Sequence, residues 1–374
     1  MRKALRWTLI ALMALGASWT ATAAHAGDDV ANASATNVQV GDNEAETEQS
    51  GNASSGDAVA GQVAGVVSSG DASIDATNRS EDVDVETGDA TGSNSASSFV
   101  GLTAGSSTAL SAAGDDILNG AATNVFVGDN SYELAQDATA TTGDGVGGQV
   151  IGVVTSAGGS ADVVAANTSE GVDIETGDAD ADNDAAAFVG LNATGTVGQA
   201  ADDIVNASAT NVMIGDNDLE ASQDATAASG DGVGGSVIGV VSAGDASIDA
   251  TNHSEDVDVE TGDSDSANDF AAFVGLTNGS ATALLAAGDD VLNGNAANVF
   301  VGDNSKELSQ SADATSGDAV AGQVAGVVTS AGGSADLVLA NTSEDADAES
   351  GDGEFDNNDD SFTGLNASGS IAVF

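Results

Sequence analysis

The residues of this chain that could do chemistry are its carboxylates. Asp and Glu number 60 among 374 residues, and many of the Asp follow a Gly in short phrases such as Gly56-Asp57 and Gly88-Asp89. Asp, Asn and carbonyl oxygens are the ligands that a hard cation such as Ca²⁺ takes in proteins. The sequence therefore predicts Ca²⁺ as the one candidate cofactor. The candidate ligands are Asp57, Asp89, Asp144, Asp178, Asp180, Asp182, Asp231, Asp263, Asp318 and Asp352.

Two physical arguments bear on this predicted cation site. Carboxylates stacked about 5 Å apart repel one another by roughly 1 kcal/mol per pair even in water, and a bound cation relieves that repulsion. The alternative is that Asp serves the geometry of the turns while salt screens its charge.

The run from Asp178 to Asp184 resembles the start of an EF-hand loop. However, its sixth position is Asn183 rather than Gly, and its twelfth is Val189 rather than Glu.

Catalytic motifs are missing from the sequence. It contains no G-x-S-x-G, no P-loop and no H-E-x-x-H. His253 is the only His beyond residue 26; we interpret it as a solvated turn residue, with Arg79 at the matching place of another repeat. Carboxylate pairs are so numerous that none stands out as the acid and base of a glycosidase. We therefore expect that the protein is not an enzyme.

The first 26 residues have the pattern of a secretory signal peptide. Arg2, Lys3 and Arg6 form a basic start, an apolar stretch follows, and Ala24-His25-Ala26 fits an A-x-A cleavage site. The apolar stretch is shorter than the roughly 20 residues of a membrane helix, and no later segment qualifies as one. We therefore expect a protein that is exported by a Sec-type leader, cleaved after Ala26, and located outside the cell or at its surface.

The charge of the chain restricts its partners. Beyond Ala26 there are 60 acidic side chains but only two basic ones, Arg79 and Lys306. Such a chain repels nucleic acid and anionic lipid headgroups. It suits a cationic partner, a multivalent cation or a salty medium; the alternative is that the charge keeps a well-solvated surface from aggregating. Cys is absent, so no disulfide stabilises the exported chain.

The chain contains four copies of one unit. Gly56, Gly143, Gly230 and Gly317 lie 87 residues apart, each within a similar Gly-rich run. Repeats 2 and 4 gain two residues after that run and lose two later, which we expect to be accommodated in turns. The acidic end of repeat 4 is expected to act as a terminal cap. The predicted repeats are 27–114, 115–201, 202–288 and 289–374.

The residue pattern predicts an all-β fold. Asp82-Val83-Asp84-Val85-Glu86 alternates strictly, as a strand with one buried face does. Beyond the leader, Pro and Trp are absent, and a core of small side chains favours the closely stacked coils of a β-solenoid. Coils of about 20 residues, stacked about 4.8 Å apart, predict a rod of about 80 Å. The alternative is a string of tandem β-sandwiches, whose facing layers need bulkier residues.

Equivalent residues of stacked coils are predicted to form ladders. Phe99 and its three equivalents are expected to stack in the core. Asn37 and its three equivalents either form an amide ladder or cap their own turns. The Gly-rich run, residues 58–67 in repeat 1, is predicted to be the most buried strand, because both of its faces carry small or apolar residues. The Ala-rich stretch at 108–113 is compatible with a helical turn or a strand.

Short phrases also link the chain to known proteins. Gly70-Asp71-Ala72, Gly88-Asp89-Ala90 and Ala76-Thr77-Asn78 have counterparts throughout the chain. In these phrases it resembles the Gly-Asp-Ala and Asn-rich repeat proteins that bacteria secrete, over most of its length beyond the leader. The resemblance implies a β-solenoid-like component of the cell surface or extracellular matrix, without catalytic residues.

The expected function is therefore structural or adhesive. The expected partners are cell-surface or matrix components, which are either cationic or further copies of this chain. The alternative is a soluble polyanionic protein that binds divalent cations such as Ca²⁺.

Overall fold

Over the residues that the structure describes, the chain folds into β-strands. The computed structural model describes residues 17–26, 30–113, 117–155, 159–201, 204–286, 291–329 and 333–373. Within these ranges no helix is long and apolar enough to cross a membrane. The strands are β1 (Ala17–Ala26), β2 (Val30–Val40), β3 (Asn43–Ser54), β4 (Ala58–Ser68), β5 (Ala72–Glu86), β6 (Ala90–Ala113), β7 (Ile117–Val127), β8 (Asn130–Thr141), β9 (Gly145–Thr155), β10 (Ala161–Glu175), β11 (Ala179–Ala201), β12 (Ile204–Ile214), β13 (Asn217–Ala228), β14 (Gly232–Ser242), β15 (Ala246–Glu260), β16 (Ser264–Ala286), β17 (Val291–Val301), β18 (Asn304–Thr315), β19 (Ala319–Thr329), β20 (Ala335–Glu349) and β21 (Gly353–Val373).

Each strand pairs in parallel with the equivalent strand of the next repeat. In the sheet formed by β2, β7, β12 and β17, Val30 aligns with Ile117, then Ile204, then Val291. The other sheets are β3-β8-β13-β18, β4-β9-β14-β19, β5-β10-β15-β20 and β1-β6-β11-β16-β21. This pairing confirms the all-β solenoid. It excludes tandem β-sandwiches, because each strand bonds to a neighbouring repeat rather than closing a sheet within its own.

The coil is longer than the sequence analysis predicted. The five strands β2 to β6 make one complete coil, and the following repeat makes the next one. The predicted coil of about 20 residues, and with it the rod of about 80 Å, is therefore wrong. Four coils spaced by about 4.8 Å form a stack only about 20 Å high. The physical reason is that strands within one repeat pack face to face instead of pairing through their backbones.

Each coil is flattened into two facing layers. β2 and β3 lie against β6, while β4 lies against β5, and later coils repeat these contacts. The turn before β4 and the turn before β6 meet where these two parts join. There the hydroxyl of Thr176 donates to the carbonyl oxygen of Gly230, 2.9 Å away. The core is therefore a thin seam between the layers.

Side chains in this seam compensate for one another in volume from coil to coil. Tyr132 of the second coil aligns with Leu219 of the third. In the same buried cluster, Ala185 of the second coil aligns with Phe270 of the third. The loss of volume at one position is thus matched by a gain at the other, which keeps the interior close-packed.

Amide side chains form ladders along the stack. The amide nitrogen of Asn37 lies 2.8 Å from Oδ1 of Asn124, and the two later links have the same length. The amide ladder is therefore the arrangement that the fold adopts, rather than local capping. Further ladders start from Asn43 and Gln49. Polar groups that would be costly to bury alone satisfy one another between coils.

The predicted phenylalanine ladder is also present. The rings of Phe99, Phe188, Phe273 and Phe362 stack with centroid distances of 4.8, 5.3 and 5.2 Å. Phe188 and Phe273 are buried, whereas Phe362 in the last coil is 46% exposed. The two central rings, which are buried, are thus the two that have a ring on either side.

Glycine is required where the backbones of adjacent coils approach most closely. Gly235 of β14 has φ +132°, and a Cβ there would lie 1.6 Å from the carbonyl oxygen of Gly322. Gly148, its equivalent one coil earlier, meets Gly235 in the same way at 1.9 Å. Gly322 itself has nothing within 4 Å of such a Cβ, because no coil follows it in the described chain.

The Gly-rich strand is not the most buried strand of its repeat, contrary to the prediction. Its inner face is covered by β5, and Ala64 and Val66 pack there against the core. Its outer face is open: Val59 is 73% and Val67 85% exposed. The prediction assumed that an apolar face must be covered, and no element of the described chain lies over this one.

The last coil is more polar than the central ones. At positions where the third coil has Leu219 and Phe270, it has Lys306 and Asp359, which form an ion pair. The Lys306 ammonium lies 5.7 Å from the centroid of the Phe270 ring, within the range of a cation–π contact. All of β20 is exposed. Inward-pointing charges of this kind discourage further strands from adding to a sheet edge.

Three further segments named in the sequence analysis can be placed in the structure. β1 lies within the predicted signal peptide and pairs with the last ten residues of β6. The Ala-rich stretch at 108–113 belongs to β6, so it forms a strand rather than a helical turn. The two additional residues of repeat 2 fall between β9 and β10, outside the strands as predicted.

Candidate functional site

The Gly-Asp turns stack into columns of carboxylates. Oδ1 of Asp57 accepts a hydrogen bond from the backbone N–H of Asp144, 3.1 Å away. The same link joins Asp144 to Asp231 at 3.0 Å and Asp231 to Asp318 at 2.9 Å. The preceding glycine permits this approach, because a Cβ on Gly143 would lie 2.3 Å from the backbone of Gly56. The Asp of each of the first three coils therefore binds the backbone of the next coil.

A second column contains four more of the predicted ligands. Asp89, Asp178, Asp263 and Asp352 are linked in the same way, with distances of 3.1, 2.9 and 2.7 Å. The structure thus brings eight of the ten candidate residues into two columns, one at the turn before β4 and one at the turn before β6.

The remaining two candidates lie elsewhere. Asp180 and Asp182 are on β11, where they are half-buried and alternate with the buried Ala181. The run that resembles the start of an EF-hand loop is therefore an extended strand. Its carboxylates follow one another along a sheet face instead of converging from a loop.

A third carboxylate column was missed by the sequence analysis. Asp42, Asp129, Asp216 and Asp303 occupy the turn after the first strand of each coil, linked at 3.0, 2.9 and 2.7 Å. The signal was present, because each of these residues follows a glycine as in the other columns.

An acidic groove runs across β5, β10, β15 and β20. It has a volume of about 900 Å³ and is lined by Asp84 and its equivalents in the three other coils. Beside them the backbone adopts a left-handed conformation, with φ near +53° at Asp82 and Asp256 and +61° at Gly171. In the second repeat the position equivalent to Asp82 is Gly171. Because glycine adopts positive φ without strain, this glycine was the sequence signal for the kink.

A second acidic groove, of about 440 Å³, lies at the turns before β11, β16 and β21. Glu175 lines it, and partial burial raises the pKa of its carboxyl group. The carboxylates of Glu86, Glu260, Asp173 and Asp178 raise that pKa further. The carboxylates stacked in register with Glu175 in the adjacent coils thus contribute to its raised pKa.

Hydrogen bonding has the opposite effect at one turn. The backbone N–H and hydroxyl of Ser334 both donate to Oδ1 of Asp245, at 2.9 and 2.8 Å. These bonds lower the pKa of Asp245, because they favour its charged form.

The few basic side chains pair with acids. Arg79 binds Glu170 of the next coil at 2.7 Å and also contacts Glu81. His253 aligns with Arg79 through Thr168, as the repeat alignment predicted. It lies on β15, with Nε2 3.5 Å from the Glu255 carboxylate, so its interpretation as a turn residue is wrong.

Across the described ranges, no group of three or more His, Cys, Asp or Glu side chains is placed to hold a metal ion. In the first three coils, each turn carboxylate of these columns accepts the backbone N–H of the equivalent Asp in the next coil with one oxygen.

Comparisons with protein-family models, with curated proteins and with solved structures find no match to this chain.

Proposed function

We propose that the protein is an extracellular structural component with an adhesive role at the cell surface or in the matrix. The observation that supports this most is the continuity of the stack. Every repeat contributes one coil, and adjacent coils share backbone, amide and aromatic ladders. Such in-register parallel stacking gives assemblies of high stability.

The surface chemistry agrees with this role. The interior groups are used in contacts between coils, while the turns and the outer face of β5 present regularly spaced carboxylates. A regular polyanionic surface favours many weak contacts with cationic matrix components over one tight contact with a small molecule.

Fractionation of cells that produce the protein tests the proposal. Cell-surface, matrix and culture-medium fractions are probed with an antibody, and duplicate samples are washed with EDTA. We expect the protein in the surface or matrix fraction. Recovery of all the protein as a freely soluble form in the medium, with and without added Ca²⁺, would contradict the proposal.

A second candidate is a polyanionic protein that binds divalent cations. It is favoured by the two grooves that carboxylates of successive coils line, one beside Asp84 and one beside Glu175. Ca²⁺ binding to the folded chain would raise its melting temperature by mass action, and EDTA would reverse the change. A melting curve that neither reagent alters would exclude this candidate while leaving the structural role open.

A further inference from the structure

The outer face of the sheet β4-β9-β14-β19 differs in chemistry from the acidic surfaces described above. The four strands contain no charged residue, in a chain with 60 acidic side chains. Their outward positions in β4 include Val59, Gly61, Gly65 and Val67, none of which can hydrogen-bond through a side chain. We call the outward surface of these four strands the valine face.

The valine face is exposed in every coil. Exposed fractions reach 85% at Val67 in the first coil and 62% at Val328 in the fourth, and Val154 and Val241 are exposed in the central coils. An apolar groove of about 290 Å³ crosses the face, with the stacked glycines equivalent to Gly61 lying beside the valines equivalent to Val59.

The size of the face matches that of a protein interface. Four strands of 11 residues cover about 20 Å by 35 Å, or about 700 Å². Contiguous apolar patches on monomers are usually about 300–600 Å², whereas each partner in a stable complex buries about 800 Å².

The charge of the chain narrows the choice of partner. Two copies approaching through the acidic grooves or turn columns would repel each other, but two valine faces meet without like charges between them. A two-fold interface also needs a patch that fits itself. The valine face offers both ridges, the Val59 column, and a groove, the Gly61 column.

We propose that the valine face is a homodimer interface, in which two copies pack sheet against sheet with the valine columns of each in the glycine groove of the other. This inference names the surface for self-association and does not depend on the role proposed at the cell surface.

Sedimentation velocity of the purified chain over a concentration series, at low and high NaCl, tests this proposal. We expect a monomer–dimer equilibrium that shifts toward the dimer in high salt, because salt screens the net repulsion and strengthens apolar contacts. A chain that stays monomeric throughout would overturn it. So would a chain that stays monomeric and instead binds vesicles of neutral phosphatidylcholine.

Paired substitutions locate the interface. The near-isosteric pair Val233→Thr and Val241→Thr should weaken the dimer by at least about tenfold, equivalent to about 1.4 kcal/mol, without changing the circular dichroism spectrum. Val233→Asp with Val241→Asp should abolish it. Thr251→Asp on β15 adds a charge to a different exposed face of the same coil and should leave the dimer unchanged. If the Asp pair does not fold, the Thr pair decides; an unaffected dimer in the Thr pair would overturn the proposal.

Discussion

The third and fourth coils follow the same backbone path, yet their residues lie in different surroundings. Ile248 of the third coil is buried, whereas Leu337, which aligns with it in the fourth, is 40% exposed. The two leucine-sized side chains differ because the third coil has a neighbour on both sides and the fourth on one. Burial in this fold is therefore supplied by adjacent repeats as much as by the facing layer, and equivalent substitutions should have unequal effects.

The largest difference is expected for a matched pair of glycines. In Gly235→Ala the new Cβ would lie 1.6 Å from the carbonyl oxygen of Gly322, so adjacent coils must separate, and we expect a loss of roughly 4 kcal/mol or more. Gly322→Ala has a similar positive φ but no such clash, and should cost about 1–3 kcal/mol through backbone strain alone. Urea denaturation followed by circular dichroism measures both. Equal losses would mean that coil contact does not set the cost.

A smaller difference is expected between two apolar truncations. Ile248→Ala removes a buried side chain and leaves a cavity, for a loss of about 2–5 kcal/mol. Leu337→Ala should cost about 1 kcal/mol, because a half-exposed site leaves little cavity. The same denaturation experiment compares them, with the m-value as a control for changes in the unfolded state. A larger loss at Leu337 would contradict the account.

The smallest effect concerns the stacked carboxylates. The pKa of Glu175 is raised in the folded chain, so its charged form is disfavoured there relative to the unfolded chain. Folding is therefore penalised above the folded pKa, and the penalty disappears as the pH falls below the unfolded value of about 4.3. Glu175→Gln should raise the melting temperature slightly at pH 7 and leave it unchanged near pH 3.

Two controls sharpen that experiment. High salt should reduce the effect of Glu175→Gln, because the group is solvent-exposed and its repulsion is screened. Glu349→Gln in the last coil, which has a carboxylate neighbour on one side only, should give a smaller change. A lower melting temperature for Glu175→Gln at pH 7 would reverse the predicted sign.

The strands and the ladders of this fold could be predicted, because they depend on local residue patterns and on the repeat spacing. Alternation in residues 82–86 indicated a strand, and repetition of Phe99 and Asn37 every 85–89 residues indicated ladders. The coil length could not be read from the turns, because Gly-Asp turns 14–18 residues apart punctuate a short coil and a long one alike. One signal in the sequence did indicate the coil length, because in-register stacking places identical residues next to each other in adjacent coils. The residues identical to Phe99 and Gln49 lie one repeat further along the chain, and not one Gly-Asp turn further.

The carboxylates were harder to interpret than the strands. Spacing alone showed that Asp57 and Asp89 would recur in register, and the structure confirms this. It did not show that each carboxylate would accept the N–H of the next coil, because that bond depends on the height of one coil over another. The exposure of Val67 was missed for a related reason. The sequence does not reveal which face of a strand another layer of the fold covers.

The central claim is that each repeat is one coil, so that equivalent residues of adjacent repeats lie side by side. Because the chain has no cysteine, one engineered pair tests this directly. Asp162 and Ser247 are exposed partners on β10 and β15, about 5 Å apart in parallel strands, within the range that a disulfide spans. The double variant Asp162→Cys with Ser247→Cys should form an intramolecular disulfide on mild oxidation, while Asp162→Cys with Ser222→Cys, in different sheets, should not. Failure of the first pair to cross-link in the folded chain, or cross-linking of both pairs alike, would contradict the account.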